Sequence, residues 1–133
     1  MHRLPIRVYY EDTDFGGVVY YANYLKFLER GRTEALREHG VDQVQLKTAG
    51  CVFVVRRALI DYLKPARFDD ELLVQTQTML VKGASAILQQ DITRGSDRLV
   101  SAEITVALMS LDGRPQRFPP EVRAILVQLQ DLG

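Results

Sequence analysis

The stretch Tyr10-Glu11-Asp12-Thr13-Asp14-Phe15-Gly16-Gly17-Val18-Val19-Tyr20-Tyr21-Ala22-Asn23-Tyr24 sets carboxylates in a loop, then two adjacent glycines, then the first residues of a helical pattern. A helix start offers unpaired backbone N–H groups and the positive end of a dipole. Such groups can hold a carbonyl oxygen and the oxyanion that develops from it. A nearby carboxylate can attack the carbonyl carbon or activate water to do so. The residue types therefore suit acyl transfer. They equally suit a plain turn, in which Asp12, Thr13 and Asp14 bond the loop backbone and Gly16 and Gly17 only bend the chain.

The elements that must position this loop follow from periodicity. Ile6 to Tyr10 alternates and reads as a strand. From Tyr21 to His39 the spacing predicts the one long helix, with Tyr21, Leu25, Leu28, Arg32, Ala35 and Leu36 on one stripe and Gly40 as its stop. A shorter helix is expected over Val41 to Ala49. Strands are expected from Val52 to Leu63, Leu72 to Leu80, Ser85 to Thr93 and Leu99 to Leu111, parted by Lys64-Pro65-Ala66, Gly83, Gly95-Ser96-Asp97 and Asp112-Gly113. Pro119-Pro120 opens a last helix reaching about Leu129. One strand, a long helix and four more strands make an α+β domain. The pattern suggests a curved antiparallel sheet wrapping the helix, with sheet edges that need a partner.

Composition narrows the function. The 133 residues fit one domain, 47% hydrophobic and 26% charged. Zero net charge argues against a nucleic-acid partner, which calls for a basic surplus. Only His2 and His39 are available, so a His-rich zinc site and most histidine-driven mechanisms fall away. The single cysteine, Cys51, forms no intrachain disulfide and suits the reducing cytoplasm. No apolar run reaches a signal peptide or a membrane span, so no membrane insertion is expected.

The words "YYEDTDFGGVVYYANYLKFLERGRTEALREHG" and "VFVVRRALIDYLKPARFDDELLVQTQT" closely resemble the signature of the YbgC-type, 4-hydroxybenzoyl-CoA thioesterase-like branch of hotdog proteins. The resemblance runs from about Ile6 to Asp112. It implies a hotdog fold, an antiparallel sheet of five or six strands wrapped around one long central helix. It also implies homo-dimers joined sheet edge to sheet edge, often paired into tetramers, with acyl-CoA hydrolysis at the dimer interface. The family's catalytic aspartate falls on Asp14, and its carbonyl-polarising backbone amide falls near Tyr21. No metal and no redox cofactor is implied; coenzyme A is part of the substrate. One departure stands out. Many YbgC-type members carry histidine where this chain has Tyr21, and a phenol is a poor general base at pH 7.

Other residues take lesser parts. Gly16, Gly17, Val18 and Asn23 are expected beside the substrate, Val18 by packing and Asn23 by orienting the loop through its amide. Arg56, Arg57, Lys64, Arg67 and Lys82 are candidate cations for the phosphates of coenzyme A, with Arg94, Arg114 and Arg117 behind them. Lys82-Gly83-Ala84-Ser85 is the preferred segment, on the family's habit of contacting the nucleotide there. Glu29 fits a helix-surface ion pair, His39 a helix C-terminus and Cys51 a small buried residue. The rivals to an aliphatic acyl-CoA thioesterase are an aromatic, hydroxybenzoyl-type one and a non-catalytic acyl-CoA or acyl-carrier binding module serving an envelope, Tol-Pal-like complex.

Overall fold

The computed structural model describes residues 1–130; Asp131 to Gly133, which the single-domain reading includes, lie outside them. Five antiparallel strands form one sheet in the order β1-β3-β4-β5-β2. They are β1 (His2–Arg7), β2 (Cys51–Tyr62), β3 (Glu71–Val81), β4 (Ser85–Arg94) and β5 (Asp97–Ser110). The helices are α1 (Asn23–Glu38), α2 (Gln43–Thr48) and α3 (Pro120–Gln128). The expected α+β hotdog architecture is present, with five strands rather than six. No helix among the described residues is long and apolar enough to cross a membrane.

Two expected bounds shift. The first strand runs over His2–Arg7, paired to β3, and Tyr10–Asp12 is a turn of 3-10 helix. The Asp12 carboxylate accepts from Tyr9 N–H at 2.8 Å, which curls the chain before the alternating pattern ends. The long helix begins at Asn23, not Tyr21. Its C-terminus closes as a Schellman motif, Val41 N–H donating to Leu36 C=O at 2.9 Å and Gly40 N–H to Arg37 C=O at 3.0 Å.

The buried face of α1 is Tyr24, Phe27, Leu28, Gly31, Ala35 and Leu36. The expected stripe took in Tyr21 and Leu25, which are exposed. Phe27 is the bulkiest apolar side chain on the helix, and burying it rotates the face away from those two. Gly31 meets the sheet so closely that a Cβ there would lie 2.6 Å from Val74 Cγ1. The core joins Phe27, Leu28, Val74, Leu88, Ile92, Leu99, Ile104 and Leu108.

β2 is an edge strand that pairs only with β5, and a bulge between Val55 and Arg57 shifts its alternation. Val55, Ala58 and Tyr62 oppose the buried Val106, Ile104 and Val100, so they share the face that carries α1. All three are nonetheless exposed.

Candidate active site

The Asp14 loop is a small hairpin. Asp14 N–H donates to Val18 C=O at 2.9 Å, and Gly17 N–H donates to Asp14 C=O at 3.0 Å. Gly17 holds φ +80, the left-handed conformation that such a turn requires and that glycine tolerates best. Thr13 bridges to Val19 across the turn. The Asp14 carboxylate is exposed, and its Oδ1 accepts from Gly16 N–H at 2.9 Å. Its other oxygen makes no hydrogen bond among the described residues. A Cβ on Gly16 would stand 3.2 Å from Asp14 Oδ1.

Neighbouring polar groups hold this loop rather than project from it. Asp12 C=O accepts from Tyr20 N–H at 3.0 Å and from Asn23 Nδ2 at 2.9 Å. Thr13 Oγ1 donates to Tyr10 C=O at 2.7 Å. Asn23 is thus an orienter of the loop, fastened from the first turn of α1. Val18 is half-buried and bridges to Arg67.

Behind the loop lies the segment Pro65-Ala66-Arg67. Val19 N–H donates to Ala66 C=O at 2.8 Å, and Ala66 N–H donates to the Tyr24 hydroxyl at 3.0 Å. Tyr24 is 3% exposed, and burial pushes its phenol up from the ordinary value, more than the Ala66 bond lowers it. Arg94 Nη1 reaches Pro65 C=O at 3.2 Å and Asp70 Oδ2 at 2.8 Å; Arg67 N–H donates to the same carboxylate at 2.9 Å. Burial alone would raise the Asp70 carboxyl. The Arg67 amide and the Arg94 guanidinium outweigh it and hold the group below the usual carboxylate range.

At the helix start, Asn23, Tyr24 and Leu25 bond three residues back, to Tyr20, Tyr21 and Ala22. Among the described residues the N–H groups of Tyr21 and Ala22 carry no hydrogen bond. The Tyr21 ring is exposed and packs edge-on against Tyr20 at 5.0 Å and Tyr62 at 6.0 Å. Burial, then the neighbouring Tyr21, raises the Tyr62 phenol.

The basic candidates do not converge within one chain. Lys64 is paired with Asp97 at 3.1 Å, and Arg94 with Asp70. Both stand at the Ala66 end of the sheet. Lys82 and Ser85 stand at the other end, since Ser85 pairs with Ala107, ten residues along β5 from Asp97 and about 33 Å away at the strand rise. Around that turn Lys82 N–H donates to Ser85 C=O at 2.7 Å, and Arg123 Nη1 donates to Lys82 C=O at 2.8 Å. The Arg117 guanidinium lies beside Gly83. Arg123 went unnoticed in the sequence because it sits on the final helix, with no motif around it. Arg57 is exposed on β2 next to the bulge. Glu29 accepts from Thr33 Oγ1 at 3.0 Å rather than pairing with a cation. His39 Nδ1 lies 2.9 Å from Ala35 C=O, in the last turn of α1. Cys51 is half-buried.

Comparison with known proteins places this arrangement. Residues 8–126 match the thioesterase-like superfamily. The chain is 42% identical over 126 residues to the acyl-CoA thioester hydrolase YbgC of Escherichia coli O6:H1, covering 93% of this chain and 94% of that one. It is 44% identical over 128 residues to the acyl-CoA thioesterase YbgC of Haemophilus influenzae, covering 95% and 94%. A probable thioesterase from Bartonella henselae, solved as a crystal structure, superposes with a TM-score of 0.85 at 41% identity, over 89% of this chain and 98% of that one. With the five-stranded sheet and the loop aspartate already in view, these likenesses have one meaning: the chain belongs to the thioesterase-like superfamily of hotdog proteins, in its YbgC-type branch.

Proposed function

We propose that this protein hydrolyses acyl-CoA thioesters to free acid and coenzyme A, with Asp14 as the reacting carboxylate. The observation that carries the reading is the state of Asp14. One oxygen is oriented by Gly16 N–H at 2.9 Å, and the other is exposed and unpaired among the described residues. The amides of Tyr21 and Ala22, unpaired among the described residues, follow the same hairpin. A thioester carbonyl bonded to the Tyr21 amide would gain strength in that bond as its oxygen becomes an oxyanion. Asp14 then acts in one of two ways. Its oxygen attacks the carbonyl carbon, the thiolate leaves, and water opens the resulting anhydride. Alternatively it takes a proton from the water that attacks. In a single turnover in heavy-oxygen water, label in the Asp14 carboxyl identifies the anhydride route, because it enters only when water opens the anhydride at the aspartyl carbon.

The working unit in this reading is a homo-dimer made by antiparallel pairing of β2 with its copy. An unpaired edge beside exposed Val55, Ala58 and Tyr62 supports it. So does the separation of the Asp14 and Lys82 ends, because a two-fold axis through β2 brings one chain's Asp14 end toward the other's Lys82–Ser85 turn. Lys82, Ser85 and Arg57 would then meet the nucleotide, and Gly16, Gly17 and Val18 the thioester. Two such dimers pair into a tetramer in this reading, and the mass of the protein in solution checks it. A reducing cytoplasm suits the single Cys51. Coenzyme A arrives with the substrate, and no other cofactor enters.

An aromatic acyl group is the second reading. The exposed, edge-to-face rings of Tyr20, Tyr21 and Tyr62 give an aryl group a surface to pack on.

The test is thiol release from short, long and aromatic acyl-CoAs, with the protein beside Asp14→Asn. Turnover lost with the mutation supports the thioesterase and names the substrate class. Binding without turnover on every member sinks the enzyme reading and leaves an acyl-CoA binding module.

A further inference from the structure

The aspartate loop is one part of a small ladder of three extended segments. Asp14 N–H donates to Val18 C=O at 2.9 Å, and Thr13 bridges to Val19. On the far side, Val19 N–H donates to Ala66 C=O at 2.8 Å, and Val18 bridges to Arg67. The third segment, Pro65-Ala66-Arg67, therefore sets where the other two lie. It belongs to none of the five strands of the sheet, so its own place must be fixed from elsewhere.

Two side chains fix it. Asp70 precedes β3, and Arg94 ends β4. Arg94 Nη1 donates to Pro65 C=O at 3.2 Å and to Asp70 Oδ2 at 2.8 Å, and its Nη2 lies 3.9 Å from Asp97 Oδ2. The same Asp70 oxygen accepts from Arg67 N–H at 2.9 Å. One guanidinium nitrogen and one carboxylate oxygen thus grip the segment at both its ends. The two side chains are 24% and 31% exposed, so solvent and salt screen their attraction less than that of a surface pair. Charge-assisted bonds of this kind also fix geometry more firmly than neutral ones.

The turn between them is held in an uncommon conformation. Asp69 has φ +71 and is the one non-glycine residue with positive φ among the described residues. Aspartate visits this region more readily than most residues, yet it stays there only where its surroundings enforce it. Here Asp69 N–H donates to Val8 C=O and Val8 N–H to Asp70 C=O, each at 2.9 Å, while Asp70 N–H donates to Arg67 C=O at 3.1 Å. The turn is tied at once to the end of β1, to β4 and to the segment beneath Asp14.

We propose that Asp70 and Arg94 are positioning residues for the Asp14 carboxylate, acting by holding Pro65-Ala66-Arg67 in place beneath its loop. This rests on the reading of Asp14 as the reacting group. Neither side chain is asked to touch the substrate. A misplacement of about 1 Å costs on the order of 10²-fold in rate.

Steady-state thiol release by the full chain from hexanoyl-CoA, palmitoyl-CoA and benzoyl-CoA tests it, with Arg94→Gln, Arg94→Lys, Asp70→Asn and Asp14→Asn assayed beside the unaltered protein, each well below its unfolding temperature. Arg94→Gln and Asp70→Asn are expected to lower kcat by at least about tenfold and to leave KM within a few-fold. Arg94→Lys should regain most of the rate, because the donors on its one ammonium nitrogen can serve both acceptors. The double variant Arg94→Gln with Asp70→Asn should fall no further than the poorer single one, since both act through one segment. The proposal is overturned if kcat is unchanged in the folded variants, if KM moves as much as kcat, or if lysine is as poor as glutamine. Full rate in Asp14→Asn rejects the underlying reading and the proposal with it. Loss in Asp14→Asn with full rate in Arg94→Gln and Asp70→Asn rejects the proposal alone. Should Asp70→Asn not fold, the contrast between Arg94→Lys and Arg94→Gln decides.

Discussion

The hydroxyl of Tyr24 accepts a hydrogen bond from the backbone N–H of Ala66 at 3.0 Å, and this contact ties the first turn of α1 to the strip of chain on which the Asp14 loop rests. Ala66 in turn accepts from Val19, the residue that closes the hairpin with Thr13. Position is thus relayed from helix to aspartate through three residues. Tyr24→Phe leaves the Ala66 N–H buried without its partner. We expect a loss of about 1–3 kcal/mol in denaturant unfolding, with thioester turnover falling further than substrate binding as the loop loosens. Unchanged stability and rate would show that Val19 alone holds the loop.

Asp14→Asn keeps the size of the side chain and its bond to Gly16 while removing the base. Turnover should drop by roughly 10²-fold or more, the scale for a positioned acid or base, with the unfolding midpoint little changed. Near-full activity in a folded variant would reject the role given to Asp14.

Tyr21→Phe separates side chain from backbone. The proposed polarising group is the amide, which phenylalanine retains, so kcat should stay within a few-fold. Tyr21→His offers a complementary variant, since the family resemblance implies histidine at this position. A collapse in Tyr21→Phe would make the phenol itself a participant.

Gly31→Ala weighs two opposed effects. Alanine favours the helix by about 1 kcal/mol. Its methyl would meet Val74 Cγ1 at 2.6 Å, with Gln90 Nε2 and Thr76 Oγ1 at 3.2 Å. Val74 is fully buried and β-branched, so it cannot swing aside cheaply. Overpacking of this kind costs about 1–3 kcal/mol, so the net change should be destabilising. Calorimetric unfolding checks it, and a stabilised variant would mean that α1 can lift from the sheet.

The Asp70–Arg94 clamp should leave a mark on acid stability. The folded Asp70 carboxyl lies below its unfolded value, so more protons bind to the unfolded chain as pH falls. Its contribution is complete above about pH 4 and is lost as pH drops through the lowered folded value. Melting temperature measured across that window should fall less steeply in Asp70→Asn than in the unaltered protein, from a lower starting point at neutral pH. Parallel curves would remove the clamp from the account.

Much of this was visible in the amino-acid order. The Asp14-Phe15-Gly16-Gly17 turn, the stop at Gly40, the proline start of α3 and four long strands depend on residues within a few positions of one another, and local chemistry dictates them. The face of α1 was mistaken because the stripe was phased on Tyr21 and Leu25, whose exposure depends on what the sheet offers and not on spacing. The relation of Asp14 to the basic residues was also illegible. Lys64 and Lys82 look equivalent along the chain, yet β5 sets them at opposite ends of the sheet. Arg32 looked like one more member of a helical stripe. Its hydrogen-bond partner is the Gln90 amide, 58 residues away. Tyr24 found Ala66 across 42 residues. Short-range order thus determined the elements and the reactive loop by themselves. The partners that orient that loop, and the buried amide that receives Arg32, were decided by tertiary structure, because only packing the helix onto the sheet determines which distant polar groups meet.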